Sequence, residues 1–388
     1  MKTWARKSLI AVATAAPVVL ATTLPAHAAI AAPLVPVTMA ATGQGVSGQY
    51  IVTLKKDASI SKTVSQTRVP TLYRYGKVLN GFTAKLTAAQ LDRLRGNPSV
   101  AAIEQDQVMH ADTTQSSPPS WGLDRIDQVS RPLSSSYTYN TTASNVYAYV
   151  IDTGISTGHS DFGGRAAVAY DAIGGNGQDC NGHGTHVAGT IGGAKYGVAK
   201  GVKLRAVRVL DCNGSGTNSG VIAGMNWVAS NHSSPAVANM SLGGGYSSSV
   251  NSAANNLAGS GVFLAVAAGN ENADACNSSP SSAANGTAVA ASDSTDARAS
   301  FSNYGGCVDL YAPGVNITSD WLNGGTNTIS GTSMATPHVA GVGALYKATY
   351  GDASYSTIRS WLTSNASSGK ISGNPSGTPN RLLYKSSL

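Results

Sequence analysis

Val146-Tyr-Ala-Tyr-Val-Ile-Asp-Thr-Gly154 is a nearly continuous apolar run that ends in a carboxylate and a tight turn. A short run of this kind suits a strand buried on both faces. Residues 183–191 then carry the pattern of a buried helix, and the alternation repeats. Strands are expected at 204–210, 237–240, 262–267, 287–291 and 308–311, and helices at 218–231, 333–350 and 355–363. Apolar strands separated by helices predict an α/β fold, a parallel sheet flanked by helices on both faces. Ligands of such sheets gather at the carboxyl ends of the strands. Asp152, Ser241 and Asn270 all fall there.

Upstream of this large region the chain has a different character. Lys2, Arg6 and Lys7 precede a broken apolar run at 9–24, and Ala26-His27-Ala28 offers a small-x-small cleavage site. Residues 1–28 therefore read as a signal peptide rather than a membrane anchor, and no later stretch is long and apolar enough to span a bilayer. An Ala-, Pro- and Gly-rich linker follows. Residues 49–110 then form a compact pattern, with strands expected at 49–54, 78–86 and 100–108 and a helix at 87–95. They predict a small α+β domain, a sheet with helices on one side, marginally stable alone. Residues 113–120, with Pro118-Pro119, read as a polar, extended joint open to proteolysis. The divisions are thus 1–28, 29–113 and 114–388.

Charge excludes one class of function. The formal net charge is +7, yet residues 1–113 hold 12 Lys/Arg against 5 Asp/Glu, and residues 114–388 hold 14 of each. The basic excess belongs to the leader, so no nucleic-acid partner is expected. Cys180, Cys212, Cys276 and Cys307 lie in the large region. Downstream of an export signal, four cysteines suggest two disulfides, with three pairings open. No Cys or Cys–His spacing fits zinc.

Three motifs carry chemistry. Tyr149-Val-Ile-Asp152-Thr-Gly154 ends a strand in a carboxylate, which alone is as well explained by a turn cap. Asn181-Gly-His183-Gly-Thr-His186 places an imidazole in the first turn of a helix. A zinc-peptidase helix needs His-Glu-x-x-His, which is absent, and His186 reads as a packed helix residue. Gly331-Thr-Ser333-Met-Ala-Thr-Pro337 puts a hydroxyl at a helix N-terminus, where free N–H groups can hold an oxyanion. Pro337 is expected in the first turn, where a missing N–H costs little. A serine needs a base, and the base needs an acid to set its tautomer. The order Asp, His, Ser matches one of the known arrangements of that triad.

With Asn239-Met-Ser-Leu-Gly-Gly244 and Ala267-Ala-Gly-Asn270, these motifs resemble the signature set of the subtilisin-like serine proteases. Arg208 to Gly216 and Phe301 to Gly305 resemble the proteinase K branch, and the four cysteines the secreted bacterial aqualysin-type enzymes. The resemblance spans 121–388, and 49–110 is similar to the family's inhibitory propeptide. It implies a secreted, broad-specificity endopeptidase acting through an acyl-enzyme and autoprocessed from a precursor. Asp152, His183 and Ser333 would be catalytic, with Asn270 in the oxyanion hole. Gly214, Ser215, Gly216, Ser241, Leu242 and Gly243 would pair with substrate backbone by strand addition. Small residues about Ala268 and Gly269 would leave room for an apolar or aromatic P1 side chain.

The same resemblance implies disulfides Cys180–Cys212 and Cys276–Cys307. It also implies structural calcium, at Asp309 with the carbonyls of Ala284 and Gly286, and at Asp124, Asp127 and Gln128. Ser134 and Ser136 replace the Asp or Asn that relatives can offer at the second position. Protein and peptide substrates, the chain's own propeptide as chaperone and inhibitor, and a monomeric state complete the expectation. Val108-Met-His-Ala-Asp112 would lie in the cleft as a cleaved product does.

Overall fold

A computed structural model describes residues 33–40, 45–77, 79–107 and 113–388. Residues 1–32, with the expected signal peptide, residues 41–44, Val78 and the segment 108–112 lie outside the described residues. The chain divides into two compact units. The smaller is a five-stranded sheet in the order Val37–Thr38, Val100–Gln107, Gly45–Leu54, Gly81–Lys85, Thr71–Tyr75. Its core is Val52, Leu54, Phe82, Ala84, Leu94 and Ile103. Helix Ala88–Arg95 begins at Thr87, whose hydroxyl accepts from Gln90 N–H while the Gln90 side chain accepts from Thr87 N–H, a reciprocal cap. The strand Thr71–Tyr75 and the helix Ile60–Thr67 have no counterpart in the sequence reading. The strand is mostly exposed, and the eight-residue helix buries Thr63 and Thr67 rather than large apolar side chains.

The larger unit is built on a nine-stranded sheet. Its central strands run Leu310–Pro313, Thr287–Ser292, Phe263–Ala267, Ala236–Met240, Tyr147–Asp152, Lys203–Arg208 and Ala167–Asp171, and every pairing among these seven is parallel. The residues of Phe263–Ala267 and Ala236–Met240 are all buried, which explains apolar runs without alternation. Helices His183–Gly192 and Thr332–Tyr350 pack together over the sheet. Asn218–Asn231 and Ser248–Gly259 form another packed pair. The last of these was not anticipated, because Ser, Asn and Ala dominate it. Its buried face is Val250, Asn251, Ala254, Leu257 and Ala258, with a single large aliphatic pair, Val250 and Leu257, among small or polar residues.

Two local expectations need correction. Thr113–Ser116 is extended, but it is no free joint: it pairs antiparallel with Ser136–Tyr139. Pro337 lies beyond the first turn of Thr332–Tyr350. Its missing N–H deprives the Ser333 carbonyl of a helical donor. The Ser241 hydroxyl supplies one instead, at 2.8 Å. Among the described residues no helix is long and apolar enough to cross a membrane.

Candidate active site

Asp152 closes its strand fully buried. Its Oδ1 accepts from Thr153 N–H at 2.7 Å and faces His183 Nδ1 at 2.7 Å. The close approach of strand end and helix depends on Gly184, where a Cβ would fall 2.1 Å from the Gly154 carbonyl. Burial disfavours the charged His183 ring, but Asp152, and then Asp179, outweigh it and raise its pKa above the ordinary imidazole value.

Asp179 is the residue that sequence reasoning missed on this side. One carboxylate oxygen accepts from Thr153 Oγ1, Asn181 N–H and Gly182 N–H, each at 2.9 Å. The other accepts from Thr185 N–H and its hydroxyl. It therefore ties the residue after Asp152 to the turn and first helical residues around His183. The disulfide Cys180–Cys212 fastens the same turn to the loop 211–216, and Asn181 Nδ2 donates to the Cys212 carbonyl at 2.9 Å. Cys276–Cys307 closes a second loop. His186 is buried, bonded through Nε2 to the Ile317 carbonyl, and burial lowers its pKa to about 4. It is a neutral packing residue.

Ser333 stands second in its helix, where backbone N–H groups have no partner inside the helix. Its hydroxyl donates to the Ser241 carbonyl at 3.1 Å, so Ser241 holds Ser333 from both directions. Asn270 Oδ1 accepts from Thr332 N–H and Oγ1 at 2.8 and 3.0 Å, which leaves the amide Nδ2 to point away from those groups. Buried Asn303 fixes the loop beneath: it accepts from Glu271 and Ala273 N–H and donates to the Ala268 carbonyl and Glu271 Oε2. Gly269, at φ +104°, has no room for a side chain beside Asn303.

His183 and Ser241 line a cleft of about 510 Å³ together with Gly214, Ser215, Gly216 and Leu242, among others. A neighbouring cavity of about 340 Å³ is lined by Ala267, Ala268, Gly269, Asn270, Glu271 and Ser333, and shares Leu242 and Gly243 with the first. The two cavities adjoin at these residues, with the His183 imidazole on the wall of the first and Ser333 and Asn270 on the wall of the second.

The residues expected to hold calcium are arranged otherwise. Asp309 Oδ1 accepts from Arg359 Nε at 2.8 Å, and the Ala284 carbonyl accepts from Arg359 Nη1 at 3.1 Å. Gly286 belongs to the same turn, its N–H donated to Ala283. Asp124 accepts from Ser134 N–H and Oγ and from Ser135 N–H, Gln128 Oε1 from Ser134 N–H, and Asp127 from Thr138 N–H. At Asp309 and Ala284 a guanidinium stands where a metal ion would, so that set does not fit one in this arrangement, while at Asp124, Asp127 and Gln128 backbone N–H and hydroxyl donors face the side-chain oxygens.

A parallel α/β sheet with a serine, a histidine and an aspartate at its carboxyl edge defines a serine hydrolase. Comparison with known proteins narrows the class. The subtilase family model matches residues 143–382, and the peptidase inhibitor I9 model residues 49–112. The chain is 51% identical over 365 residues to an extracellular serine proteinase of Thermus sp. (strain Rt41A), covering 93% of this chain and 86% of that one. It is 53% identical to alkaline serine exoprotease A of Vibrio alginolyticus over 79% of this chain, which spans 58% of that protein. The crystal structure of a cold adapted subtilisin-like serine proteinase, 55% identical, superposes with a TM-score of 0.67 over 68% of this chain and 97% of that one. The chain belongs to the subtilase family. It is a secreted serine proteinase with an inhibitory propeptide domain, in a family that commonly binds calcium.

Proposed function

We propose that the chain is an endopeptidase of broad specificity in which Ser333 is the nucleophile, His183 the base and Asp152 its orienting acid. The observation that carries this reading is the 2.7 Å Asp152–His183 contact on the wall of the cleft that Ser241, the holder of Ser333, also lines. With its Nδ1 proton directed at Asp152, His183 keeps Nε2 as an acceptor for the Ser333 proton. Ser333 Oγ then leaves the Ser241 carbonyl and attacks the scissile carbonyl. Asn270 Nδ2 and the Ser333 N–H stabilise the tetrahedral oxyanion. His183 returns the proton to the leaving amine, and water releases the acyl-enzyme by the same path.

Gly214 to Gly216 and Ser241 to Gly243 supply backbone edges that read substrate main chain, which supports broad specificity. The cavity beyond Ala267 to Gly269 suits an apolar or aromatic P1 residue. Glu271 shares its wall, but its Oε2 is already engaged by Asn303. Cleavage of the precursor near Thr113 agrees with the pairing of Thr113–Ser116 into the larger unit. In this reading residues 1–28 direct export, 29–113 serve as chaperone and inhibitor, and 114–388 act as a monomer.

The test is casein hydrolysis by the secreted protein. Ser333→Ala should lower kcat by at least about 10⁴-fold, leave the thermal midpoint in place, and strand the chain at precursor size. Near-normal activity in that variant would sink the assignment.

A further inference from the structure

We propose that Arg359 is a built-in cation that takes the place of a divalent metal ion at Asp309, and that removing it uncovers a site for calcium. Helix Tyr355–Asn365 carries Arg359 to a buried carboxylate fifty positions earlier in the chain. Asp309 Oδ2 accepts from Ala288 N–H at 2.9 Å, while Oδ1 takes both Nε and Nη2 of Arg359 at 2.8 and 2.7 Å. The third nitrogen, Nη1, reaches the Ala284 carbonyl. One planar cation thus joins a carboxylate and a backbone carbonyl that together are hard oxygen ligands.

The chemistry makes guanidinium and metal exclusive. A guanidinium stays protonated at any pH the fold survives, and its N–H groups fill the directions a calcium ion needs for its six to eight oxygens. Burial pushes the Asp309 carboxyl up, and Arg359 pulls it back down. Without Arg359 the buried carboxylate would keep only the Ala288 N–H and the field of Arg381, which is destabilising unless a proton or another cation arrives. An entry path exists, because the Arg359 side chain is 39% exposed while that of Asp309 is 7% exposed. The inference rests on these contacts and not on the catalytic assignment.

The experiment uses the secreted chain inactivated with phenylmethylsulfonyl fluoride, so that it cannot digest itself. Thermal midpoints are read in excess calcium and in excess chelator, alongside terbium luminescence titrations. For the parent protein, Asp309→Asn should leave any calcium response unchanged. Arg359→Gln should lower the midpoint in chelator by roughly 5–15 °C, regain most of it in calcium, and gain one terbium site. The double variant should lose both gains, and Arg359→Lys should acquire no terbium site. If Arg359→Gln fails to fold in chelator, recovery with calcium reads the same way, and failure in both overturns the proposal. It is equally overturned if Asp309→Asn abolishes a calcium response of the parent, or if Arg359→Gln gains none.

Discussion

At His183 the ring Nδ1 stands 2.7 Å from Asp152 Oδ1, whereas at His159 the same ring atom stands 3.6 Å from Asp320 Oδ1. Both aspartates are fully buried. The difference lies in what else reaches the ring. Asp161 N–H donates to His159 Nδ1 at 3.2 Å, so that nitrogen is the acceptor. The ring proton then belongs on Nε2, where the Gly325 carbonyl accepts it at 3.0 Å. His183 Nδ1 faces a carboxylate, which only accepts, so its proton sits on Nδ1 and Nε2 is left basic. Two similar pairs thus carry opposite tautomers, set by one backbone amide. Asp320 is left with neither oxygen hydrogen-bonded to a donor. Burial first, and the neighbouring Asp161 next, raise its pKa to about 8.

The largest effect should follow from disturbing the first pair. Asp152→Asn replaces the accepting carboxylate by an amide whose NH₂ can face Nδ1, which favours the proton on Nε2. His183 would then resemble His159, with no base directed at Ser333. We expect kcat to fall about 10⁴-fold with the fold retained. In the parent, the raised His183 pKa should make kcat/KM fall, as pH is lowered, from above the ordinary imidazole value. A loss under tenfold on a peptide substrate would show that the tautomer does not matter here.

How far this contrast is visible before folding depends on sequence distance. The sheet, its order of strand and helix, and Asp152, His183 and Ser333 are each legible because a short motif surrounds each. Asn218–Asn231 even falls where its periodicity puts it. Asp179 was within sight, four residues before His183, but nothing local says that Thr153 will come to it. Arg359 and Asp320 carry no local mark at all. Their partners lie 50 residues or more away, so the charges that oppose or stabilise them appear only when the sheet brings them together. Ser241 is intermediate: the strand end is legible, its service to a carbonyl freed by Pro337 is not.

A middle-sized effect is expected at Asp320. Its folded pKa of about 8 lies above the unfolded value of 3.8, so the folded state holds a proton that the unfolded state releases. The associated stability is fully present below pH 3.8 and is lost as pH rises through about 8. Arg165 and Lys195 lower this pKa and are the nearby cations that limit the loss. Asp320→Asn keeps the shape and removes the proton. Relative to the parent it should gain stability with rising pH, more at pH 9 than at pH 5, measured by urea unfolding of the inhibited protein. A parent–variant difference independent of pH would mean that Asp320 does not titrate in this range.

The smallest effect should come from His159. In His159→Asn the shorter side chain still offers an oxygen to Asp161 N–H, the role of a helix cap, and loses the bond to the Gly325 carbonyl. In His159→Ala both are lost. We expect caseinolytic activity within about twofold of the parent for each, since the ring has no proton to exchange with Asp320. Stability should fall by about 1 kcal/mol for Asn and somewhat more for Ala, in line with one and two lost hydrogen bonds. The pH slope assigned to Asp320 should survive in both, because its proton is held by burial and by Asp161 and not by the ring. If the slope disappeared with the histidine, the two pairs would be coupled in the same way after all, and the backbone amide of Asp161 would not be what separates them.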